Sequence, residues 1–274
     1  MTNHDLIRDA FAEDLPTSDV TTDSLDCKER KGYAFLIAKS DIRLSGQDLF
    51  SESVHFVAPN ALIKWHFKDG DMVLKQQKIC TIHGDLLPVL KAERVALNFL
   101  GYLSGIATMT SMYVAACGEN RQLQILDTRK TLPGYRDLVK KAVRDGGGTN
   151  HRMNLSDAVL IKENHVRVAG GITAAVEQIR SRSKLPITVE VTNLAEVVEA
   201  VSLGVSRLLL DNMNNPTLQE ALTLIPEHME TEASGNMDVD RVRQISQFEG
   251  LDYISVGALT HSAPTADISL LFEF

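Results

Sequence analysis

Cysteine is scarce in this chain of 274 residues: Cys27, Cys80 and Cys117 stand without a CxxC pair or a Cys/His cluster. That pattern indicates neither a disulfide framework nor a structural zinc site, and a reducing, cytoplasmic setting is expected. Aromatic residues make up only 5% of the chain. No window reaches roughly 18 consecutive apolar residues, so no membrane span is expected. The opening MTNHDLIRDAFAEDLP lacks a continuous apolar segment, which argues against a secretory signal. Excess positive charge is missing too: 28 Lys plus Arg face 36 Asp plus Glu, a net charge of −8, which argues against nucleic acid as a partner. What is present is 44% hydrophobic residues with only 17 Gly and 8 Pro, the composition of a folded protein with a large core.

The N-terminal part mixes an amphipathic helix, marked by Leu6, Ile7, Ala10 and Phe11, with short strands at Tyr33 to Ala38 and Leu62 to Phe67. Lys68-Asp69-Gly70-Asp71 predicts a hairpin turn, and His83-Gly84-Asp85 a second turn before a helix. Leu90 to Cys117 predicts a long apolar helical stretch broken near Ser104-Gly105, with a domain boundary at residue 107. Beyond it, short β-branched runs alternate with helical patterns: Leu123 to Asp127, Ala158 to Ile161, Ile187 to Val191, Arg207 to Leu210, Met229 to Ala233 and Tyr253 to Val256. Alternation of this kind predicts parallel strands joined by helices. Polar or small residues close each run: Asp127 to Lys130, then Lys162, Glu190, Asp211, Ser234-Gly235 and Gly257. In an α/β barrel all these strand ends open onto one face; an open doubly wound sheet also aligns them along one edge.

Charge is concentrated where those ends begin. Residues 129–162 carry a net +5, while the remaining chain carries −13, a contrast that suits a small, highly anionic ligand. Arg129 and Arg152 offer planar forks for carboxylates, and Lys130 and Lys162 compact point charges. Lys140, Lys141 and Arg144 fit a solvated helix face instead. Gly146-Gly147-Gly148 beside Asn150-His151-Arg152 suits either a close backbone approach to a ligand or a helix cap with a tight turn. Glu190 and Asp211 are paired acids suited to Mg²⁺ bound together with a phosphate-bearing substrate, or to salt bridges with Arg129 or Lys162. The turns Ser234-Gly235-Asn236 and Val256-Gly257-Ala258 are placed to cradle a phosphate. His165 and His261 are ambiguous between ligand contact and packing. A lysine such as Lys162 at a barrel strand end also permits Schiff-base chemistry on a carbonyl substrate, and a non-catalytic phosphosugar sensor is a further alternative.

The segment TRKTLPGYRDLVKKAVRDGGGTNHRMNLSDAVLIKENH, residues 128–165, closely resembles the quinolinate phosphoribosyltransferases, the carboxylating nicotinate-nucleotide pyrophosphorylases of NAD biosynthesis. EDLPTSDVTT (13–22), AERVALNFLGYLSGIAT (92–108), VEVTNLAE (189–196), LLLDNM (208–213), ASG (233–235) and VGALTHS (256–262) extend the resemblance over nearly the whole chain. The resemblance implies an N-terminal α/β sandwich at residues 1–107, joined by a tail at 265–274, and an open α/β barrel of the type II phosphoribosyltransferase kind at 108–264. It implies a homodimer with shared sites, in which Arg94 is donated across the interface. Thr128, Arg129, His151, Arg152 and Lys162 would line the quinolinate site, with Lys130 between both substrates. Glu190 and Asp211 would face the ribose and Mg²⁺ of phosphoribosyl pyrophosphate, and Ser234, Gly235 and Gly257 would bind phosphate. Lys130, Lys162, Glu190 and Asp211 would be the catalytic groups. Asn154, Thr192 and Asn236 depart from the family pattern; Asn236, beside the phosphate turn, bears on phosphate affinity. The implied reaction is transfer of phosphoribosyl to quinolinate with decarboxylation.

Overall fold

A computed structural model describes residues 2–26, 29–118 and 122–273, so Cys27 lies outside the described residues. The chain forms two compact units. The first comprises residues 1–111, 133–147 and 263–274, and the second residues 112–132 and 148–262. Residues 133–147, expected with the barrel, are grouped with the first compact unit, whose leading segment runs to residue 111.

In chain order the elements of the N-terminal stretch are α1 (Asn3–Asp14), α2 (Val20–Asp23), β1 (Lys31–Ala38), β2 (Ile42–Arg43), α3 (Gln47–Val57), β3 (Leu62–Trp65), β4 (Met72–Val73), β5 (Lys78–Asp85) and α4 (Leu86–Ala116). They are followed by β6 (Gln124–Leu126), α5 (Arg136–Asp145), β7 (Val159–Ile161), α6 (Glu163–Ala169), α7 (Ile172–Arg180), β8 (Ile187–Val191), α8 (Leu194–Ser202), β9 (Arg207–Asp211), α9 (Asn215–Leu224), β10 (Glu230–Ser234), α10 (Val239–Ile245), β11 (Tyr253–Ser255), α11 (Ala258–His261) and β12 (Ile268–Glu273).

The first unit is built on an antiparallel sheet in the order β12-β1-β5-β3. Its register aligns Leu270, Leu36, Cys80 and Trp65 in one rung, and alternation buries Ala34, Leu36 and Ala38 from β1. Three local expectations are corrected here. The turn at Lys68 to Asp71 does not join a hairpin, because β3 pairs with β5 while β4 pairs with β2. His83-Gly84-Asp85 is the end of β5, which runs directly into α4. Nor does α4 break at Ser104-Gly105: Ser104 Oγ donates to the Ser45 carbonyl, and a Cβ on Gly105 would lie 2.0 Å from the Pro264 oxygen, so the glycine serves close packing. By length and composition α4 could cross a membrane, yet most of that stretch is buried inside the protein, as in a core helix.

Among the described residues the second unit holds six parallel strands in the order β6-β11-β10-β9-β8-β7. Successive strands are neighbours, and the first, β6, returns to pair with the last, β11. A doubly wound sheet would instead reverse direction at its middle, so this order is that of an α/β barrel open between β6 and β7. The strands are buried on both faces, as Leu208, Leu209 and Leu210 illustrate.

Candidate active site

The carboxyl ends of these strands surround a cavity of about 760 Å³. Thr128, Arg129 and Lys130 enter it after β6, His151 and Arg152 from the loop before β7, and Lys162 directly after β7. Glu190 comes from β8, Asp211 from the end of β9, Ser234 and Gly235 from β10 and its turn, and Gly257 and His261 from the segment after β11. Twelve positions were singled out from the sequence as site residues, and all but Arg94, which is exposed on α4, line this cavity.

The cationic side is held by a buried acid. Asp127 accepts the His151 backbone N–H on Oδ1 at 2.9 Å and the Asn150 side-chain amide on Oδ2 at 2.5 Å, tying the 150–152 loop to the end of β6. The Arg152 N–H donates to His151 Nδ1 at 2.7 Å, which leaves Nε2 as the protonated ring nitrogen. Nε2 faces Glu232 Oε2 at 3.4 Å. Arg152 itself donates from Nη1 to the Ala158 carbonyl at 2.7 Å. Burial and the neighbouring charge of Arg129 press the Arg152 guanidinium below its ordinary value. Two like charges are thus gathered in one half-buried part of the cavity.

Sequence reasoning missed Glu232. It is fully buried in β10, lines the cavity, and has Arg207 Nη1 at 3.3 Å from Oε2 as well as His151. Burial alone raises its pKa, but His151, Ser255 and Arg207 hold the carboxyl below the usual value. The available signal was a charge in the middle of a buried strand, Thr231-Glu232-Ala233, where only a paired acid is tolerated.

Lys162 is ion-paired with Glu190, one of the salt bridges weighed from the sequence. Its side chain is 47% exposed and sits against a carboxylate, which is not the desolvated, apolar setting that Schiff-base chemistry requires. Thr128 Oγ1 lies 3.0 Å from Thr260 Oγ1. Gly257 opens α11, and a Cβ there would come within 3.1 Å of His261 Nε2. Gly235 has φ +91°, and a Cβ would collide with the Asn212 side chain at 2.2 Å, so only glycine fits. Asn212 and Asn236 are also left-handed, with φ +54° and +50°, and Asn236 donates to Asn212 Oδ1 at 3.1 Å.

Other candidates lie elsewhere. His165 caps α6, its Nδ1 accepting the Lys162 N–H at 2.9 Å, and does not line the cavity. Asn154 and Thr192 form local turns outside the cavity lining, with Ser156 N–H on Asn154 and Thr192 on Glu196. Gly146 is the cap of α5, where a Cβ would meet the Ala107 carbonyl oxygen at 2.5 Å. Lys140, read as a solvated face, is fully buried, because the α5 face that carries it packs inside the first unit. Among the described residues no group of three or more His, Cys, Asp or Glu side chains is placed to share a metal ion.

Family models for the quinolinate phosphoribosyl transferase N-terminal and C-terminal domains match residues 19–104 and 106–271. The chloroplastic nicotinate-nucleotide pyrophosphorylase (carboxylating) of Arabidopsis thaliana is 39% identical over 289 residues, covering 98% of this chain and 82% of that protein. A mitochondrial quinolinate phosphoribosyltransferase (decarboxylating), 2a, of Nicotiana tabacum is 40% identical, covering 96% of this chain and 80% of its own. The solved nicotinate-nucleotide pyrophosphorylase of Francisella tularensis superposes with a TM-score of 0.92 at 37% identity, covering 100% of this chain and 98% of that one.

Proposed function

This chain belongs to the quinolinate phosphoribosyltransferase family, and from that premise we propose how its cavity carries out the reaction. Quinolinate and phosphoribosyl pyrophosphate become nicotinate mononucleotide, pyrophosphate and CO₂. One observation carries the assignment of roles. A single cavity brings Arg129, Lys130, Arg152 and Lys162 together with two acids, Glu190 and Asp211, and with glycine turns at Gly235 and Gly257.

Arg129 and Arg152, already crowded, neutralise the adjacent carboxylates of quinolinate and aim its ring nitrogen at C1 of the ribose. Lys162 keeps Glu190 as its counter-ion until a substrate carboxylate reaches it. His151, pinned by Glu232 and the Arg152 N–H, forms the wall beside them. The turn at Ser234-Gly235 and the backbone at Gly257 receive the sugar phosphate. As the C1–O bond to pyrophosphate breaks, positive charge grows on the ribosyl ring, and Glu190 and Asp211 oppose it electrostatically while Lys130 draws the leaving oxygens. The ring nitrogen, once ribosylated, is cationic. The C2–carboxylate bond then breaks with its electron pair left on C2 beside that charge, CO₂ departs, and C2 takes a proton from water.

Mg²⁺ fits this donor set as a shared ion. Glu190 and Asp211 line the same cavity with hard oxygen donors and would hold the cation together with the phosphate-bearing substrate. Bound so, it would neutralise the leaving group.

We further place the enzyme in the cytoplasm, where the free thiols of Cys80 and Cys117 stay reduced, and as a homodimer in which Arg94, exposed on α4, serves a second copy's cavity. Incubation with quinolinate, phosphoribosyl pyrophosphate and Mg²⁺, with nicotinate in parallel, should yield stoichiometric nicotinate mononucleotide and pyrophosphate from quinolinate alone. A folded sample without turnover refutes the reading. Mixed Arg94→Ala and Arg129→Ala subunits should regain partial activity; no recovery after demonstrated subunit exchange refutes the shared site.

A further inference from the structure

The turn after β9 and the turn after β10 stand side by side in the cavity wall, one carrying Asp211 and the other Ser234 and Gly235. Two direct hydrogen bonds and one bridging side chain fix their spacing. The Asn212 N–H donates to the Ser234 carbonyl at 2.9 Å. Asn236 donates its amide to Asn212 Oδ1 at 3.1 Å, and Asn212 in turn donates to Asp211 Oδ2 at 2.7 Å, so one amide chain runs from the phosphate turn to the acid. Behind both turns, Arg241 of α10 donates from Nη1 to the Gly235 carbonyl at 2.9 Å and from Nη2 to the Met213 carbonyl. A guanidinium is a rigid planar fork, so binding one carbonyl from each turn sets the distance between them. Arg241 does not line the cavity, and its own N–H is held by the Asp238 cap at 2.7 Å, which fixes the base of the side chain. Asn212 and Asn236 both keep left-handed backbone that glycine would adopt without cost, which their side-chain bonds repay.

We propose that Arg241 is a positioning residue: with the Asn212–Asn236 pair it braces the two turns and sets the spacing between the Asp211 carboxylate and the phosphate-binding backbone, so that the site is gauged to a ribose 5-phosphate. This rests on the reading of the cavity as a phosphoribosyl site. The bonds of the brace run to the Gly235 and Met213 carbonyls and through Asn212 to Asp211, so its loss is expected first at the phosphoribosyl end.

The test compares Arg241→Met, which keeps the length and apolar stem, with Asn236→Gly. Calorimetric affinity for phosphoribosyl pyrophosphate, KM for each substrate and melting temperature are read for each. Loss of two charge-assisted bonds predicts about tenfold weaker phosphoribosyl pyrophosphate binding in Arg241→Met, with KM for quinolinate unchanged. Asn236→Gly should weaken the same substrate about threefold while melting no lower than the parent, a separation that a merely structural role does not produce. The double variant should lose less than the product of the single losses, because both act on the same turn. Arg241→Lys, which reaches one carbonyl, should recover part of the affinity. Equal changes in both KM values, or unchanged phosphoribosyl pyrophosphate affinity in Asn236→Gly, overturn the brace. If Arg241→Met does not fold, Asn236→Gly alone decides. A parent that binds phosphoribosyl pyrophosphate without turnover sinks the proposed reaction, while the affinity ratios still judge the brace.

Discussion

The cations of residues 129–162 meet two fates. Arg136, Lys140, Lys141 and Arg144 lie on α5 in the first unit, and Arg129, Lys130, Arg152 and Lys162 line the cavity of the second. On α5 the charge is closed: Lys141 donates to Asp69 at 2.5 Å and to Asp145 at 2.8 Å, and Asp145 also accepts from Ser45 at 2.6 Å. In the cavity Arg152 instead stands beside the like charge of Arg129, and Lys162 is paired with Glu190. The lesson is that a basic run in sequence is not a binding site until its counter-ions are counted. A cation whose carboxylates are supplied by the fold holds the fold; one facing a like charge in a cavity waits for a ligand.

Glu232 is where that division is most exposed to failure, since it is a fold-closing acid inside the open site. Glu232→Ala leaves Arg207 and His151 facing an emptied buried place, and should cost roughly 3–5 kcal/mol of stability as well as activity, measurable by urea unfolding. Its folded pKa lies below its unfolded value, so its contribution is complete above the unfolded value near 4.5 and is lost as pH falls through the folded value. Glu232→Gln should therefore flatten the acid limb of the stability profile; an unchanged limb would mean that the carboxylate is not the group responsible.

Arg152→Ala should separate the two fates cleanly. It should cost roughly 2–5 kcal/mol in kcat/KM for quinolinate, with little change in melting temperature. Near-parental kinetics would move Arg152 to the structural class. Lys141→Met should do the reverse and more mildly, losing roughly 1 kcal/mol of stability because the pair is partly solvated, with kcat/KM retained. Burial alone would lower the Lys141 pKa, but Asp145 and Asp69 hold it above its ordinary value. Its contribution is thus complete below the unfolded value and is lost as pH rises through the higher folded one, so the variant should differ from the parent least at strongly alkaline pH.

The barrel was legible because its strands announce themselves locally. Short β-branched runs closed by polar residues mark both the element and the site position, and β6 to β11 all fall within the expected runs to a residue or so. The first unit was less legible because its pairings are not local. Nothing in Lys68-Asp69-Gly70-Asp71 says that β4 will pair with β2, or that β3 will lie against β5. Gly105 reads as a helix breaker until Pro264 is found against it. Lys140 reads as solvated because helical periodicity reports an apolar face, not the depth to which it is sunk. Glu232 and Arg241 were missed for a related reason: each is bonded to partners distant in sequence or in neighbouring turns, His151 and Arg207 for one, two backbone carbonyls for the other.

The strand order has a consequence in time as well as in space. β1 cannot complete its sheet until β12, residues 268–273, pairs beside it, and β6 cannot close against β11 until residues 253–255 are available. In each sheet, then, a strand from early in the chain waits for a partner far along it. Pairings of such high sequence separation carry a large loop-closure cost, so both sheets are completed by non-local contacts of the kind that slow folding.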